Sequence, residues 1–414
     1  MIAGLRCSCG AVAGPEQWSC KQRDLDNADH VLQLPLSAWQ VDDSSCQPFV
    51  RYRQMLRSWQ EANDDAWFVD RVQQLDEAVA AVDKHGFAVT PCIEHEIAGR
   101  RITVKDETGN VSGSHKARHT FGLMLHLLVR ERRRYKNQKD TSATAGNSGS
   151  ATTRAPLAIS SCGNAAVAAA VVAAAERWPL SVFVPQEANP ATVSYLRELG
   201  ATVEVCKRSK SDAGDPSYER FRQAVEAGAV PFGCQGPDNG YTYDGGRTLG
   251  YELAEQAPDT ERVYVQVGGG ALAASVAQGL ATAGSTASLI TAQTEGCAPL
   301  SRAWRQIHAL GGLAQARTQR DAVMWPWTPT PTSAASGILD DETYDWAAVS
   351  EAMLKTGGYP VVVPETLVQK AWETARSATG INVSATGSAG LAGLLHDNPP
   401  LNTKTAVLLT GAQF

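Results

Sequence analysis

The feature of this 414-residue sequence that most constrains its fold is a regular alternation of short apolar segments with longer helical patterns from Ala88 onward. Segments such as "SVFVP" and "VYVQV" are rich in β-branched residues, and helical patterns of roughly 10–15 residues separate them. Strands alternating with helices form βαβ units, in which right-handed crossovers join parallel strands. We therefore predict an α/β protein with two open, mostly parallel twisted sheets flanked by helices.

The alternation falls into two series, one from "LAISSC" to "AVPFGC" and one from "RVYVQVGGG" to "TAVLLTG". A chain of this length suits two domains better than one compact core. We predict a smaller α/β domain at residues 88–235 and a larger one at 236–414. Residues 1–87 form an arm that packs on the large domain, and "DDAWFVDRVQQLDEAVAAVD" within it has a helical pattern.

Composition excludes several classes of protein. The formal net charge of -6 leaves no positive surplus to bind nucleic acid. The basic run at 130–136 is expected to end a helix. The apolar run at 165–175 is too short to span a membrane, and we find no signal peptide. Nine dispersed cysteines indicate reduced thiols. We expect a cytoplasmic protein without nucleic-acid or membrane partners.

Three of these cysteines cluster near the N-terminus, at Cys7, Cys9 and Cys20. A zinc ribbon normally presents paired CxxC knuckles, and the second knuckle is missing here. We expect a degenerate remnant and no metal site, with metal binding as the alternative. The stretch "KNQKDTSATAGNSGSATTRAP" has a low-complexity composition typical of a mobile surface loop, or alternatively of a lid.

Ligands of open α/β sheets bind at the carboxyl ends of strands, and three loops there carry polar signals. "SSCGNAA" at 160–166 opens a helix and suits an oxyanion, although many α/β loops look alike. "QVGGGALAAS" at 266–275 suits a phosphate, or is simply a tight turn. In "VLLTGAQF", the hydroxyl of Thr410 follows a strand.

The fourth signal is Lys116 in "GNVSGSHKARH", at the apparent start of a helix that Ser114 could cap. A lysine, a phosphate cup, an oxyanion loop and a hydroxyl at a strand end are together what pyridoxal phosphate requires. The lysine would form a Schiff base, the glycines would hold the phosphate, and the hydroxyl would face the pyridine nitrogen.

Seven segments, in family order, resemble the fold-type II pyridoxal-phosphate enzymes, which share the tryptophan synthase β-like fold. They are "GNVSGSHKARH", "SSCGNAAVAAAVVAAA", "VFVPQEANPATVSYLRELGATV", "VGGGAL", "QTEGCAPL", "GSAGLAGLL" and "LLTG". The resemblance is in particular to threonine synthase and its relatives, which include threonine dehydratase, and "LRCSCG" looks like the eroded zinc-ribbon-like start of some threonine synthases.

The resemblance implies a role for each matching position. Lys116 forms the Schiff base and, once released, takes the α-proton; Asn164 bonds the cofactor 3-hydroxyl, and Thr410 meets the pyridine nitrogen. The phosphate is held by the backbone amides of Gly268, Gly269, Gly270, Ala271 and Leu272. The substrate is bound by Ser112, Ser161, Cys162 and Gly163.

Three positions depart from the family pattern. Ala117 stands where an Asp commonly follows the lysine, and His115 replaces a frequent Phe, either as a second proton carrier or as a packing residue. Ser384 lies where the family often has a Glu. Arg247 is expected to pair with a neighbouring acid, or alternatively to hold an anionic substrate group.

We therefore predict a pyridoxal-phosphate-dependent lyase or synthase that performs β- or γ-elimination or replacement on a small amino acid. Threonine-synthase-like activity is preferred. The alternatives are an ammonia-lyase of the serine/threonine dehydratase or diaminopropionate type, and a non-catalytic sensor of pyridoxal phosphate or an amino acid. The family also implies a homodimer.

Overall fold

The computed structural model describes residues 4–14, 16–142, 154–207 and 215–413 of the chain. The strands are β1 (Arg6–Cys7), β2 (Leu32–Gln33), β3 (Cys92–Ile97), β4 (Arg100–Asp106), β5 (Leu157–Ser160), β6 (Leu180–Pro185), β7 (Thr202–Cys206), β8 (Val230–Pro231), β9 (Arg262–Gln266), β10 (Ser288–Thr294), β11 (Tyr359–Val363) and β12 (Thr405–Leu409).

The helices flank the two larger sheets, and β1 and β2 form a separate two-stranded sheet. They are α1 (Pro48–Arg51), α2 (Arg57–Ala62), α3 (Asp65–Asp83), α4 (Lys116–Ser142), α5 (Asn164–Ala175), α6 (Pro190–Glu198), α7 (Pro216–Glu226), α8 (Thr242–Gln256), α9 (Ala271–Thr282), α10 (Pro299–Ala309), α11 (Leu313–Ala316), α12 (Arg320–Val323), α13 (Trp346–Thr356), α14 (Glu365–Thr379) and α15 (Ala389–Asp397).

The larger sheet has six strands in the order β11-β10-β9-β12-β4-β3. Its neighbours are parallel except for the antiparallel pair β3–β4. β12 lies in the interior of the sheet, where all five of its residues, "TAVLL", are buried. Strands covered on both faces lose the polar alternation of half-exposed strands, which explains these continuous apolar runs.

The smaller sheet has four parallel strands in the order β7-β6-β5-β8. The prediction of two open, mostly parallel sheets flanked by helices is therefore confirmed. The segment 92–106, however, joins the larger sheet, because β4 pairs with β12 and places Ile102 opposite Thr405. We had assigned this segment to the 88–235 unit, and that domain division stays a prediction.

Helix α4 carries the predicted lysine and packs against α8 and α5. Its crossing with α8 is close: a Cβ at Gly122 would lie 2.6 Å from the Gly245 Cα. The helix continues to Ser142, so it is longer than the sequence pattern predicted. Most of the predicted low-complexity loop, residues 143–153, lies outside the described residues.

The N-terminal arm contains the predicted helix, α3. Asp64 caps it by accepting a hydrogen bond from the Trp67 N–H at 3.2 Å. Its buried side chains recur every three or four residues and pack against α5: Phe68, Val72, Leu75 and Val79. Within the described residues, we find no helix long and apolar enough to cross a membrane.

Candidate active site

A cavity of about 760 Å³ opens at the carboxyl ends of β5, β9 and β12. Nearly all of the predicted site residues line it: Lys116, Ser161, Cys162, Gly163, Asn164, Gly268, Gly269, Gly270, Ala271, Leu272 and Thr410. Ser112 does not line this cavity; it is buried, and its N–H donates to the Asp83 carboxylate at 2.9 Å. The structure thus brings together segments that are up to 294 positions apart, from Lys116 to Thr410.

The residues before Lys116 are attached to the end of β12. Ser114 forms an antiparallel bridge with Gly411, and the His115 N–H donates to the Thr410 carbonyl at 3.2 Å. The Ala412 N–H donates to the Gly113 carbonyl at 2.8 Å. Because backbone bonds flank the lysine's own segment, the start of α4 is held against the Thr410 end of the sheet.

Two histidines beside Lys116 are neutral. His115 Nδ1 lies 3.1 Å from the Thr410 carbonyl, which can only accept, so Nδ1 carries the hydrogen. Burial and the Lys116 charge hold the pKa of His115 well below its ordinary value. They also lower the pKa of His119 to about 3. Neither imidazole therefore adds a positive charge near the lysine.

Behind Lys116, Arg118 lies in a buried ionic network that the sequence patterns did not reveal. Its guanidinium donates to Glu107 at 2.7 Å and to Glu252 at 2.7 Å. Lys105 Nζ also donates to Glu252, at 2.6 Å. Two cations and two carboxylates, all almost fully buried, thus balance in charge and fix the first turn of α4.

The glycine loop joins β9 to α9. A Cβ at Gly268 would lie 2.3 Å from Asp340 Oδ2 and 2.9 Å from the Ile338 Cα, so a larger residue does not fit. Gly270 has φ of +103°, which disfavours residues with a Cβ. The loop therefore keeps its backbone accessible at the N-terminus of α9, where unpaired amides attract anions.

Asp340 is a cavity residue that the sequence analysis missed. Burial raises the pKa of its carboxyl to about 6, although the Lys116 charge opposes this. Its position beside the glycine loop comes from the segment 336–340, which is held by a hydrogen bond from the Gly337 N–H to Thr386 Oγ1 at 2.9 Å. No local pattern around Asp340 could have indicated this placement.

Thr410 has a partner on the neighbouring strand. Gln266, the last residue of β9, donates from Nε2 to Thr410 Oγ1 and, at 2.9 Å, to the Gly387 carbonyl. Because Thr410 Oγ1 accepts this hydrogen bond, its own hydrogen is available to a group in the cavity. The sequence signal for Gln266 is its position at the end of the strand that precedes the glycines. The sequence analysis interpreted only the glycines of this segment.

Asn164 begins α5 and lies close to the end of β12. Its Nδ2 is 2.9 Å from where a Cβ on Gly411 would be. Ser161, Cys162 and Gly163 precede it at the cavity wall, where the first-turn amides of α5 lack helical partners. This end of α5 thus offers donors that suit a carboxylate, and the assignment of the loop to the substrate stays a prediction.

Ser384 lies in the cavity wall but has a structural role. Its hydroxyl donates to the Gly411 carbonyl at 3.1 Å and accepts from the Gly387 N–H at 3.0 Å. Arg247 lies away from the cavity and donates to the carbonyls of Leu34 and Pro35, at 2.7 and 3.1 Å. Both of our interpretations of Arg247 are therefore wrong, because the arm supplies neutral oxygen partners that the local sequence does not show.

The N-terminal cysteines, which we expected to be a degenerate remnant, lie together with a histidine in the structure. Cys7, Cys9 and Cys20 converge, and His30 joins them. We missed His30 because its spacing from the cysteines does not resemble a zinc knuckle.

The cavity can be tested for its fit to pyridoxal phosphate. The glycine loop leaves room for backbone contact with a phosphate, and the hydroxyl of Thr410 is directed by Gln266. The Asn164 amide and Lys116 line the same space. The residues present fit the group, with one local conflict: an ionised Asp340 would repel a phosphate at the loop.

Comparisons with known proteins agree with this fit. L-threonine ammonia-lyase of Thermotoga maritima is 28% identical over 204 residues, which are 48% of this chain and 43% of that protein. Phenylserine dehydratase of Ralstonia pickettii is 27% identical over 62% of this chain and 68% of its own. The match thus spans less than half of the ammonia-lyase.

Among solved structures, maize serine racemase superposes with a TM-score of 0.60 over 83% of this chain and 93% of that one, at 19% identity. At that identity, the likeness shows the fold alone. The family model described as pyridoxal-phosphate dependent enzyme matches residues 84–411. The predicted fold and cofactor are thereby confirmed: the chain belongs to the pyridoxal-phosphate-dependent enzymes of fold type II.

Proposed function

We propose that the protein is an ammonia-lyase of the dehydratase type that acts on a small β-hydroxy amino acid such as serine or threonine. The observation that carries this proposal is the pair formed by Gln266 and Thr410 at the end of the sheet. A hydroxyl there supplies one hydrogen bond to the cofactor ring and no negative charge.

When bound, pyridoxal phosphate withdraws electrons from the Cα of an attached amino acid and so acidifies its α-proton. Thr410 would offer the ring nitrogen a neutral hydrogen bond, whereas an aspartate would supply a negative charge that keeps that nitrogen protonated. The absence of such a charge from Thr410 would favour loss of a β-substituent.

We assign the cofactor contacts as follows. Lys116 Nζ would hold the aldehyde carbon covalently, and the loop amides at 268–272 would hold the phosphate. Asn164 would donate to the 3-oxygen, and Thr410 to the ring nitrogen. Each of these groups lines the one cavity, which supports the assignment.

Lys116 also has the setting of a proton carrier. Once a substrate amine replaces it, the free Nζ lies in the cavity and can take the α-proton. Since His115 and His119 are both neutral, no neighbouring imidazolium opposes protonation of that amine.

The substrate carboxylate is assigned to the start of α5. Ser161, Cys162 and Gly163 lie there, and the first-turn amides and the helix dipole both favour an anion. Ser112 is left out of this assignment because it does not line the cavity.

Relatives support dehydratase-type chemistry more than our preferred threonine-synthase-like activity. Both named relatives, an L-threonine ammonia-lyase and a phenylserine dehydratase, act on amino acids with a β-hydroxyl by their names. Replacement at Cγ remains the second candidate to be tested. The homodimer and the cytoplasmic location stay predictions.

The test is a substrate screen on purified protein with added pyridoxal phosphate. Serine, threonine, 2,3-diaminopropionate, O-phosphoserine and O-phosphohomoserine would be assayed for ammonia, keto acid and phosphate. We expect keto acid and ammonia from serine or threonine, and none from Lys116→Ala. Lys370→Ala, an exposed lysine on α14, is the matched control and should keep full activity.

Three results would contradict the proposal. A colourless wild-type protein that does not respond to the cofactor would remove the enzyme assignment. Phosphate release from O-phosphohomoserine, without turnover of serine or threonine, would favour the threonine-synthase-like alternative. Spectral shifts with every amino acid but no product would favour a sensor.

A further inference from the structure

Four potential metal ligands meet in the N-terminal arm, away from the residues assigned to the cofactor. They are the thiols of Cys7, Cys9 and Cys20 and the imidazole of His30. Their ligand atoms all lie within 4.8 Å of one another. Cys7, Cys20 and His30 are buried, and only Cys9 is exposed, which leaves one side open for a metal ion to enter.

The distances match a tetrahedral site. Cys9 Sγ and Cys20 Sγ are 3.8 Å apart, and Cys7 Sγ is 3.7 Å from His30 Nδ1. A zinc–sulfur bond of about 2.3 Å implies a tetrahedron edge of about 3.8 Å between two thiolates. Two opposite edges of the tetrahedron are therefore already formed, and the other four distances between ligand atoms need to shorten by about 1 Å at most.

The backbone around the cysteines is arranged to hold them. β1 and β2 pair so that Cys7 lies opposite Leu32. Between the two cysteines of the CxC turn, Ser8 Oγ donates to the Asp29 carbonyl at 2.5 Å and accepts from the Val31 N–H at 3.3 Å. These bonds on either side of His30 fix its position relative to the CxC turn.

Two further contacts are typical of metal ligands. The Gln22 N–H points at Cys20 Sγ at 3.4 Å, as amides do beside metal-bound thiolates. His30 Nε2 lies 2.9 Å from Asp26 Oδ1, so Nε2 donates its hydrogen there and Nδ1 presents a lone pair to the thiols. A disulfide would use two of the cysteines but would explain neither the third nor this orientation of the histidine.

We propose that Cys7, Cys9, Cys20 and His30 bind one Zn²⁺ in a closed structural site. Three thiolates and one imidazole in tetrahedral positions are a ligand set that zinc prefers, and four protein ligands leave no open position for catalysis. The second CxxC knuckle of a zinc ribbon is missing here, and Cys20 and His30 supply the third and fourth ligands in its place.

The metal site would crosslink residues 7–30 of the N-terminal arm, which also contacts the wall of the cavity. Three residues beyond Cys20, Arg23 donates to Asp238 at 2.7 Å and to the Tyr218 hydroxyl at 2.6 Å, and both partners line the cavity. On the other side, the Asp29 N–H donates to the Arg317 carbonyl at 2.8 Å. Loss of the metal should therefore loosen the arm and lower stability without removing any cofactor contact.

The test measures the metal content of the full-length protein. The protein is purified under reducing conditions, without chelators and without a metal-affinity column. We expect about one zinc ion per chain in the wild type. Cys9→Ser and His30→Gln should lose most of it, with a lower melting temperature. Cys46→Ser, an exposed cysteine outside the cluster, is the control and should keep it.

A second measurement keeps the test decisive if a variant fails to fold. Wild-type protein stripped of metal and given Co²⁺ should show the intense visible bands of a tetrahedral thiolate site, and Zn²⁺ should bleach them. Wild type without stoichiometric metal and without these bands would overturn the proposal, as would a Cys9–Cys20 disulfide found by mass spectrometry. Iron in place of zinc would overturn the choice of metal. None of these readouts depends on enzyme activity.

Discussion

Gln266 Nε2 donates a hydrogen bond to Thr410 Oγ1 across the neighbouring strands β9 and β12. The glutamine thereby sets the direction of the threonine hydroxyl, because an oxygen that accepts from one side is left to donate on another. Gln266 is thus a positioning residue, whereas Thr410 is the group that would touch the cofactor.

Gln266→Glu tests this relationship, because the shape is kept while the donor becomes an acceptor. Thr410 would then donate to the new carboxylate and lose its hydrogen bond to the ring. We expect the cofactor to stay bound and kcat to fall about tenfold, the cost of roughly one hydrogen bond. Thr410→Ser keeps the hydroxyl and should stay within about threefold of wild type. An unchanged kcat in Gln266→Glu would contradict the role.

His115→Phe decides between the two interpretations of the histidine. Because burial and the Lys116 charge hold the pKa of His115 well below its ordinary value, it is a poor proton carrier at neutral pH. We expect the variant to keep its cofactor and to retain activity within about threefold, with an unchanged pH profile. Loss of one limb of the profile of kcat against pH would instead show that His115 carries a proton.

Asp340→Asn should tighten cofactor binding above neutral pH. The Asp340 carboxyl, whose pKa burial raises to about 6, is ionised at pH 8 and repels a phosphate at the glycine loop. Each unit of pH above the pKa costs up to tenfold, so the dissociation constant of the variant should be lower by up to about 100-fold at pH 8. At pH 5, the two proteins should bind nearly alike.

Titration of the apoenzyme with pyridoxal phosphate, followed by absorbance, measures both values. Asp321→Asn, an exposed acid nearby in the chain, is the control. Equal dissociation constants for the Asp340 variant and the wild type at pH 8 would show that Asp340 does not face the phosphate.

Asp345 makes the stability of the protein depend on pH. Burial raises the pKa of its carboxyl to about 7, against hydrogen bonds from the Tyr243 hydroxyl and the Gly236 N–H that favour ionisation. The folded state therefore binds a proton that the unfolded state releases near pH 4. The stability from this proton is present at low pH and is lost as pH rises to about 7.

Asp345→Asn mimics the protonated acid and cannot ionise. We expect it to match the wild type at pH 4 and to exceed it at pH 8 by on the order of 4 kcal/mol in the free energy of unfolding, because a shift of about three pKa units costs about 1.4 kcal/mol per unit. Urea unfolding at both pH values measures this difference. A variant that is less stable than the wild type at pH 8 would mean that the ionised carboxylate is the favourable form.

The buried ionic network should contribute far more than an exposed pair. Arg118→Met would leave Glu107 and Glu252 without their guanidinium partner, and we expect a loss of about 3–5 kcal/mol. Arg220→Met breaks an exposed pair with Glu204 of the same N–O distance, 2.7 Å, and should cost about 0–1 kcal/mol. If urea unfolding gave similar losses of stability for the two variants, burial would not strengthen the contribution of the ionic network.

Local patterns in the sequence were sufficient to predict the elements and most of the cavity. Hydrophobic period and turn residues act over a few positions, so β5, α5, β9 and α9 lie where the patterns indicated. Lys116, Asn164 and the glycine loop could also be predicted, because each belongs to a short sequence motif at the end of a strand or the start of a helix.

Only the tertiary structure decided the pairing of β4 with β12, the approach of Asp340 to the glycine loop, and the contacts of Arg247. It also joined Gln266 to Thr410 and His30 to three cysteines. Each of these contacts links residues that are distant along the chain. A strand's apolar pattern shows that it is buried but not which strand it meets, and a side chain's type shows what it can bind but not which partner packing will bring to it.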